Sequence, residues 1–99
     1  MPRLILTSVA IGDLERVKDF LAEKSQEAAE RAKGVITEHL EKVQRFPTAY
    51  RPVASARDQR EIVIAFGTYG YVMRYHFDQE RDTVTILRVW HQRENSGRS

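Results

Sequence analysis

Three runs rich in β-branched and aromatic residues crowd the last third of the chain, and they constrain the fold more than any other feature. The runs are residues 61–66, 71–77 and 84–94. Gly67 and Gly70 stand between the first two runs, and the polar segment 78–82 separates the second run from the third. Short glycine-bearing or polar connections between such runs are typical of β-hairpins. The sequence therefore predicts a three-stranded antiparallel meander.

Alternation along these runs predicts two different faces for the sheet. One face is apolar, as packing beneath helices requires, and comprises Ile62, Ile64, Phe66, Tyr71, Met73, Tyr75, Leu87 and Val89. The other face mixes apolar residues with cations and comprises Val63, Ala65, Val72, Arg74, His76, Ile86, Arg88 and Trp90. A partly apolar face that carries Arg74 and Arg88 suits a protein partner. The alternative is that the C-terminal tail or the loop 47–58 covers this face.

The start of the chain predicts a strand and then an amphipathic helix. The apolar run Leu4-Ile5-Leu6 suits a buried strand, and Thr7 or Ser8 can cap the helix that follows. This helix runs from Val9 to Lys24. Its apolar stripe comprises Ala10, Leu14, Val17, Phe20 and Leu21, and its polar side comprises Asp13, Glu15, Arg16, Lys18, Asp19 and Glu23. Such a stripe predicts that one side of the helix packs on the sheet.

A second helix follows directly, with Ser25 as its cap, and it ends near Arg45 because Pro47 disfavours helical geometry before it. The segment 47–58 has no clear period and predicts a loop with an extended piece near 50–53. The expected fold class is thus α+β, with an N-terminal strand, a helical hairpin and the meander in one mostly antiparallel sheet. Ninety-nine residues accommodate a single domain spanning 1–99.

Composition excludes several classes of function. The chain has no cysteine, and its three histidines lack metal-ligand spacing, so no metal site is expected. The sequence has neither a phosphate-binding glycine loop nor a dinucleotide-binding motif, so no cofactor is expected. No serine has the flanking glycines of a nucleophile elbow. The opening apolar run is too short for a signal sequence or a membrane span. We therefore expect a cytoplasmic protein that does not bind a membrane.

Positive charge is concentrated in the second half of the chain. Residues 45–99 contain nine basic residues, all of them arginines, against six acidic residues. The planar guanidinium fork suits carboxylates and phosphates, so this half favours an acidic or phosphate-bearing partner. The alternative is ordinary surface with intramolecular ion pairs.

One cluster offers the elements of RNA cleavage, although no residue set completes a catalytic site. His91 lies beside Arg88 and Arg93, with Arg74 and Arg60 on neighbouring strands. Cleavage by a 2′-hydroxyl needs a base, an acid and cations on the phosphate, so His91, Arg88, Arg74 and Arg60 are the candidates for a nuclease. The alternative is that His91 is structural.

The order of elements and several sequence segments resemble the ParE/RelE toxin superfamily of bacterial type II toxin–antitoxin systems, over essentially the whole chain. The segments are Leu4-Ile5-Leu6-Thr7, Asp13-Leu14, Ala28-Ala29, Phe46-Pro47, Tyr50-Arg51-Pro52, Arg60-Glu61-Ile62-Val63-Ile64 and Ile86-Leu87-Arg88-Val89-Trp90-His91-Gln92-Arg93-Glu94. The resemblance implies one of two activities, since a fold alone does not determine function. RelE-like members cleave mRNA on the ribosome, and ParE-like members poison DNA gyrase.

Two departures from the RelE pattern make the resemblance favour the ParE-like branch. Gln92 follows His91 where some ribonuclease members have tyrosine, and Val72 stands where matched ribonuclease members carry arginine. The resemblance thus implies a gyrase inhibitor that acts by binding. A RelE-like endonuclease acting on ribosome-bound mRNA and a non-toxic binding module are the alternatives.

The resemblance also implies a partner. A cognate, ParD-like antitoxin would lie across the helical hairpin and the open sheet, giving a toxin–antitoxin hetero-oligomer. The residues expected to contact the partner or target are Arg74, Arg88, Trp90, His91 and Arg93. Tyr71 and Tyr75 are also aromatic candidates, but the face assignment places them in the core.

Overall fold

The structure, a computed structural model, describes residues 1–67 and 69–92 and confirms the α+β class. Its elements are β1 (Arg3–Leu6), α1 (Ser8–Lys24), α2 (Gln26–Arg45), β2 (Arg51–Pro52), β3 (Gln59–Phe66), β4 (Tyr69–Asp78) and β5 (Thr83–His91). Within the described residues, neither helix combines the length and apolar character that crossing a membrane requires.

Two hydroxyl groups start the helices, as the sequence predicts. The Thr7 hydroxyl accepts a hydrogen bond from the Ala10 amide at 3.0 Å, and the Ser25 hydroxyl accepts one from the Ala28 amide at 3.1 Å. Such caps contribute about 1 kcal/mol each. Ser25 both ends α1 and caps α2, so a single residue joins the two helices into a hairpin.

The strands form one five-stranded sheet in the order β1-β5-β4-β3-β2. β1 pairs with β5 in parallel, and the other three pairings are antiparallel. The predicted meander is therefore confirmed, and the short β2 is the extended piece expected in the loop. β4 begins at Tyr69, so the connection after β3 is tighter than predicted, and Gly67 adopts the left-handed backbone there, with φ of 68°.

The inner face of the sheet, which packs beneath the two helices, supplies most of the core. Its buried side chains are Ile62, Ile64, Tyr71, Met73, Tyr75, Val84, Ile86 and Val89, and they meet Ala10, Val17, Ile36 and Val43 from the helices. The alternation predicted for β3 and β4 is confirmed, and so is the core position of Tyr71 and Tyr75.

The face assignment was wrong in β5, where a bulge interrupts the alternation. Arg74 pairs with Arg88, but the next residue, Tyr75, pairs with Ile86, so Leu87 is an extra residue in β5. Ile86 therefore lies on the inner face and is fully buried, whereas Leu87 is half-buried. An extra residue reverses the side on which the preceding residues point, and pure alternation cannot detect it.

Two residues of α1 also differ from the prediction. Asp13, assigned to the polar side, is only 3% exposed, and Phe20, assigned to the apolar stripe, is 54% exposed. Phe20 lies instead beneath Lys24, whose ammonium is 5.0 Å from the ring centroid. Asp13 is buried because it has charged and backbone partners on β5.

Candidate binding face of the sheet

The sheet surface turned away from the helices carries the arginines predicted to bind a partner. We call this surface the outer face and define it by Glu61, Val63, Val72, Arg74, Arg88 and Trp90. Glu61 pairs with Arg74, which pairs with Arg88, so these three residues occupy neighbouring positions in a row across three strands. Val63, Val72 and Trp90 form the adjoining row. The structure therefore places Arg74 and Trp90 in contact and gives Arg88 a neighbouring position in the sheet.

Arg74 is held from two directions. Its Nε and Nη2 atoms donate to Glu61 Oε2 at 3.0 and 2.6 Å, and its guanidinium carbon lies 5.3 Å from the centroid of the Trp90 ring. Arg51 also approaches Glu61, at 3.5 Å. Charge-assisted hydrogen bonds and the face of an indole both fix the orientation of a guanidinium group. Arg74 is thus an oriented cation.

Trp90 contributes to the outer face mainly by supporting the Arg74 guanidinium, and only a little by its own exposed surface. Its side chain points to the outer face, yet the residue is only 7% exposed. A protruding aromatic anchor would show more of its ring. Trp90 therefore affects this face mainly through the arginine it supports.

Arg88 has a different partner, Asp13 of α1. Arg88 donates from Nε to Asp13 Oδ2 at 2.9 Å and from Nη2 to Oδ1 at 3.3 Å. The same Oδ2 accepts the backbone amide of Val89 at 2.9 Å. β1 pairs with β5 only as far as Ile86. Beyond that point the Asp13 carboxylate accepts the Val89 amide on the edge of β5 that β1 no longer covers. Asp13 thereby fixes α1 to the strand that carries Arg88, Trp90 and His91.

The ionisation of Asp13 follows from these contacts. Burial alone would raise the pKa of Asp13, but the hydrogen bonds from Arg88, from the Val89 amide and from Arg16 hold this pKa below its ordinary value of 3.8. Arg16 approaches at 3.1 Å. The carboxylate is therefore charged at neutral pH and stabilises the fold in that form.

His91 and Arg60 lie away from the arginine row. His91 pairs with Tyr71 and Arg60 pairs with Tyr75, and both tyrosines belong to the inner face. Four residues of a strand separate the two positions, or about 13 Å. The His91 ring lies edge-on to the Tyr71 ring at 5.3 Å, and Arg60 donates to the Tyr50 carbonyl at 2.7 Å. The four nuclease candidates are thus divided between two faces of the sheet.

Tyr75 is buried and serves a structural role. Its hydroxyl donates to the Pro47 carbonyl at 2.6 Å, which ties the loop after α2 to the sheet. Burial raises the pKa of Tyr75 to about 12, against the opposing field of Arg60. At neutral pH this phenol is fully protonated.

Sequence reasoning missed two carboxylates and named one residue that the structure does not describe. Asp13 stands three residues after Ala10 and four before Val17, so its position in the apolar stripe was a usable signal for burial. Glu61 shares the alternation of Val63 and faces Arg74 across the strands. Arg93 lies outside the described residues.

A second surface, between the two helices, is concave and mostly apolar. This helix groove has a volume of about 270 Å³ and is lined by Leu14, Val17, Ala29, Ala32, Ile36 and Leu40, with Glu15, Lys18, Lys33 and Thr37 also contributing. Small alanines on α2 keep the groove open. Charged residues flank an apolar floor, as in grooves that receive an amphipathic helix.

Comparison with known proteins identifies the family. The sequence model of one protein family, the ParE toxin of the type II toxin–antitoxin system parDE, matches residues 4–96. The chain belongs to the ParE toxin family. Toxin RelE3 of Caulobacter vibrioides is 29% identical over 82 residues, which is 83% of this chain and 85% of that protein. The ParE/RelE resemblance and the assignment to type II toxin–antitoxin systems are therefore confirmed.

Solved structures agree with this ParE-family fold. The chromosomal ParDE system from P. aeruginosa superposes with a TM-score of 0.72 at 21% identity, covering 92% of this chain and 96% of that chain. The intact E. coli RelBE toxin–antitoxin complex gives a TM-score of 0.66 at 15% identity, covering 95% and 100%. A ParDE and a RelBE system thus share the fold of this chain, so the fold does not separate the two branches.

Proposed function

We propose that this protein inhibits DNA gyrase by binding it, without cleaving a bond itself, and that a ParD-like antitoxin neutralises it. The observation that carries the proposal is the division of the four nuclease candidates. Arg74 and Arg88 occupy outer-face positions in the sheet register, and the Arg88 guanidinium is engaged by Asp13 of α1, whereas His91 and Arg60 lie at positions of the inner face. A base and the cations that bind the phosphate must act on one group of atoms.

The state of the arginines supports binding as well. Arg74 and Arg88 each have a carboxylate partner within the chain, Glu61 and Asp13. One edge of each guanidinium group is therefore already engaged by a carboxylate, while phosphate binding in nucleic acids relies on cations that are free to contact the phosphate. Gln92, which follows His91, also lacks the phenol found there in some RelE-like nucleases. These features favour a protein target.

The helix groove is the proposed site of the antitoxin. An amphipathic helix of the antitoxin would place its apolar residues against Ala29, Ala32 and Ile36, and an extended segment would continue over the sheet. The structural relatives named for ParDE and RelBE are toxin–antitoxin systems, which supports a hetero-oligomer of this kind.

Induction in a bacterial host without the antitoxin gives the first test. We expect growth arrest, together with a purified protein that inhibits supercoiling of relaxed plasmid by gyrase. Harmless expression of a folded protein would instead support a non-toxic binding module. Co-expression of the antitoxin should restore growth.

Substitutions at the site need a design that respects the ion pairs. Arg88→Ala leaves the buried Asp13 carboxylate without its main partner, so lost toxicity could reflect lost stability. Arg88→Lys keeps the charge, and His91→Ala leaves this pair intact. We expect Arg88→Lys to weaken toxicity, because Arg88 belongs to the outer-face row. His91 occupies an inner-face position, so His91→Ala and the conservative core change Ile64→Val should both leave toxicity unchanged. Full toxicity of folded Arg88→Lys would refute the assignment of Arg88, and lost toxicity of folded His91→Ala would refute the separation of the two faces.

A further inference from the structure

Arg74 keeps part of its guanidinium group available for a partner. Of its five N–H groups, Nε–H and one Nη2–H donate to Glu61. The Nη1 atom has no acceptor among the described residues. Since no buried side-chain nitrogen or oxygen of the described residues lacks a partner, Nη1 is accessible to solvent. One edge of the fork is therefore fixed by Glu61, and Nη1 on its other side stays in contact with solvent.

The surroundings of this edge indicate what kind of group fits it. Glu61 already engages one edge of Arg74, and Asp13 already engages Arg88. In the adjoining row, Val63 is 47% exposed and pairs with the buried Val72. In this row a polyanion would find guanidinium groups whose edges are already partly engaged by carboxylates, whereas a protein surface with one carboxylate beside an apolar side chain would find complementary contacts.

We propose that Arg74 binds a single carboxylate of the protein target, that a neighbouring apolar side chain of the target packs on Val63, and that Glu61 is the positioning residue. This inference rests on the proposed function and adds the chemistry of the target's contact. Glu61 acts only through Arg74. It holds the Nε–Nη2 edge, so the guanidinium plane and its outward edge keep one orientation before the target arrives. Preorganisation of this kind lowers the cost of ordering a long side chain on binding.

The test measures direct binding of the purified protein to gyrase holoenzyme at two salt concentrations. The variants are Glu61→Gln, Arg74→Gln and Arg74→Lys. Arg81→Gln is the matched control, because Arg81 also pairs with a carboxylate, Asp78, at 2.9 Å, but on the exposed β4–β5 turn. Thermal melting confirms that each variant is folded, and Arg74→Lys retains the charge and the aliphatic stem.

We expect Arg74→Gln and Arg74→Lys to weaken binding at least about tenfold, since lysine cannot use two edges at once. Glu61→Gln should weaken binding about threefold or more, and Arg81→Gln should leave binding unchanged. The salt dependence should correspond to about one ion pair. Tighter binding by Glu61→Gln with a steep salt dependence would indicate a surface of several negative charges in place of a single carboxylate and overturn the proposal, and so would unchanged binding by folded Arg74→Gln.

Failure of the proposed function gives a separate result. If wild-type protein does not bind gyrase, that function is lost, and the same variants are then scored by growth arrest. If Arg74→Gln and Glu61→Gln then no longer arrest growth, the proposed carboxylate contact still holds, but with a protein target other than gyrase. Stronger arrest with Glu61→Gln, or unchanged arrest with Arg74→Gln, would overturn it. A wild-type protein that neither binds gyrase nor arrests growth removes both proposals.

Discussion

Asp13 gathers more partners than any other single residue discussed at the site. Its carboxylate accepts hydrogen bonds from Arg88, from the Val89 amide and from Arg16. Arg88 lies 75 positions and Val89 lies 76 positions further along the chain. Burying a carboxylate is unfavourable unless it is paired and hydrogen-bonded, and here both conditions are met. Removing either member of the Asp13–Arg88 pair should therefore cost more stability than the loss of a surface ion pair.

Asp13→Asn should lower the free energy of unfolding by about 2 to 4 kcal/mol at neutral pH. The amide keeps the shape but loses the charge and presents N–H groups toward donors. Asp19→Asn, on the exposed side of the same helix, is the control and should change stability little. Urea denaturation measures both, and equal effects of the two substitutions would contradict the role given to Asp13.

The same pair of proteins predicts a pH dependence. The folded-state pKa of Asp13 lies below its ordinary value, so its contribution is present above pH 3.8 and is lost as the pH falls through the folded-state pKa. The difference in unfolding free energy between wild type and Asp13→Asn should therefore shrink in acid. A difference that stays constant from pH 7 to pH 3 would refute this linkage.

β5 is the element in which local pattern and real geometry diverge. Its bulge at Leu87 leaves Ile86 on the inner face and lets Arg88 share a row with Arg74. Without the extra residue, Arg88 and Ile86 would point to the same side of the sheet. The position of the bulge therefore determines which side chains the outer face presents.

A comparison of Ile86→Ala with Leu87→Ala tests this register. Ile86 is fully buried, so its truncation should cost about 2 to 5 kcal/mol, and truncation of the half-buried Leu87 should cost clearly less. Chemical denaturation gives both values. The reverse order would mean that β5 follows simple alternation, as its sequence alone suggests.

The loop after α2 depends on one hydrogen bond to β4. Tyr75→Phe removes the donor to the Pro47 carbonyl and should cost about 1 kcal/mol. The raised pKa of Tyr75 also predicts how stability changes with pH. Stability contributed by the protonated phenol is present below pH 10.0 and is lost as the pH rises toward about 12. Ultraviolet titration of the wild type should show a tyrosine that ionises near pH 12, and this step should be absent from Tyr75→Phe.

At the scale of the whole molecule, the sequence predicted the class, the element order and the family, but not the charge network. The caps at Thr7 and Ser25, the stop before Pro47 and the alternation in β3 and β4 are local signals, and all are confirmed. The Asp13–Arg88 contact joins residues distant in sequence, and the bulge in β5 leaves no local mark. Both are properties of the assembled fold, and they decide how the outer face is arranged.

The arrangement of the whole molecule supports a toxin with two working surfaces. The helix groove lies between the two helices, which cover the inner face of the sheet, and the outer face is the other side of the sheet. An antitoxin helix in the groove and a target on the outer face would therefore contact separate parts of the protein, and only an extended antitoxin segment over the sheet would block the target directly. An antitoxin fragment limited to the helix should bind the toxin yet leave gyrase inhibition largely intact. A competition assay with that fragment checks this outcome, and full relief of inhibition by the helix alone would contradict it.

The most direct measurement of the central claim uses one preparation of purified protein in two reactions. The first reaction contains gyrase, ATP and relaxed plasmid, and the second is an in vitro translation mixture in which a reporter mRNA is followed by primer extension. Binding without bond cleavage predicts that supercoiling is inhibited in a dose-dependent way while the mRNA stays intact. Normal supercoiling together with cleaved mRNA would contradict the account and identify the protein as a ribosome-dependent endonuclease.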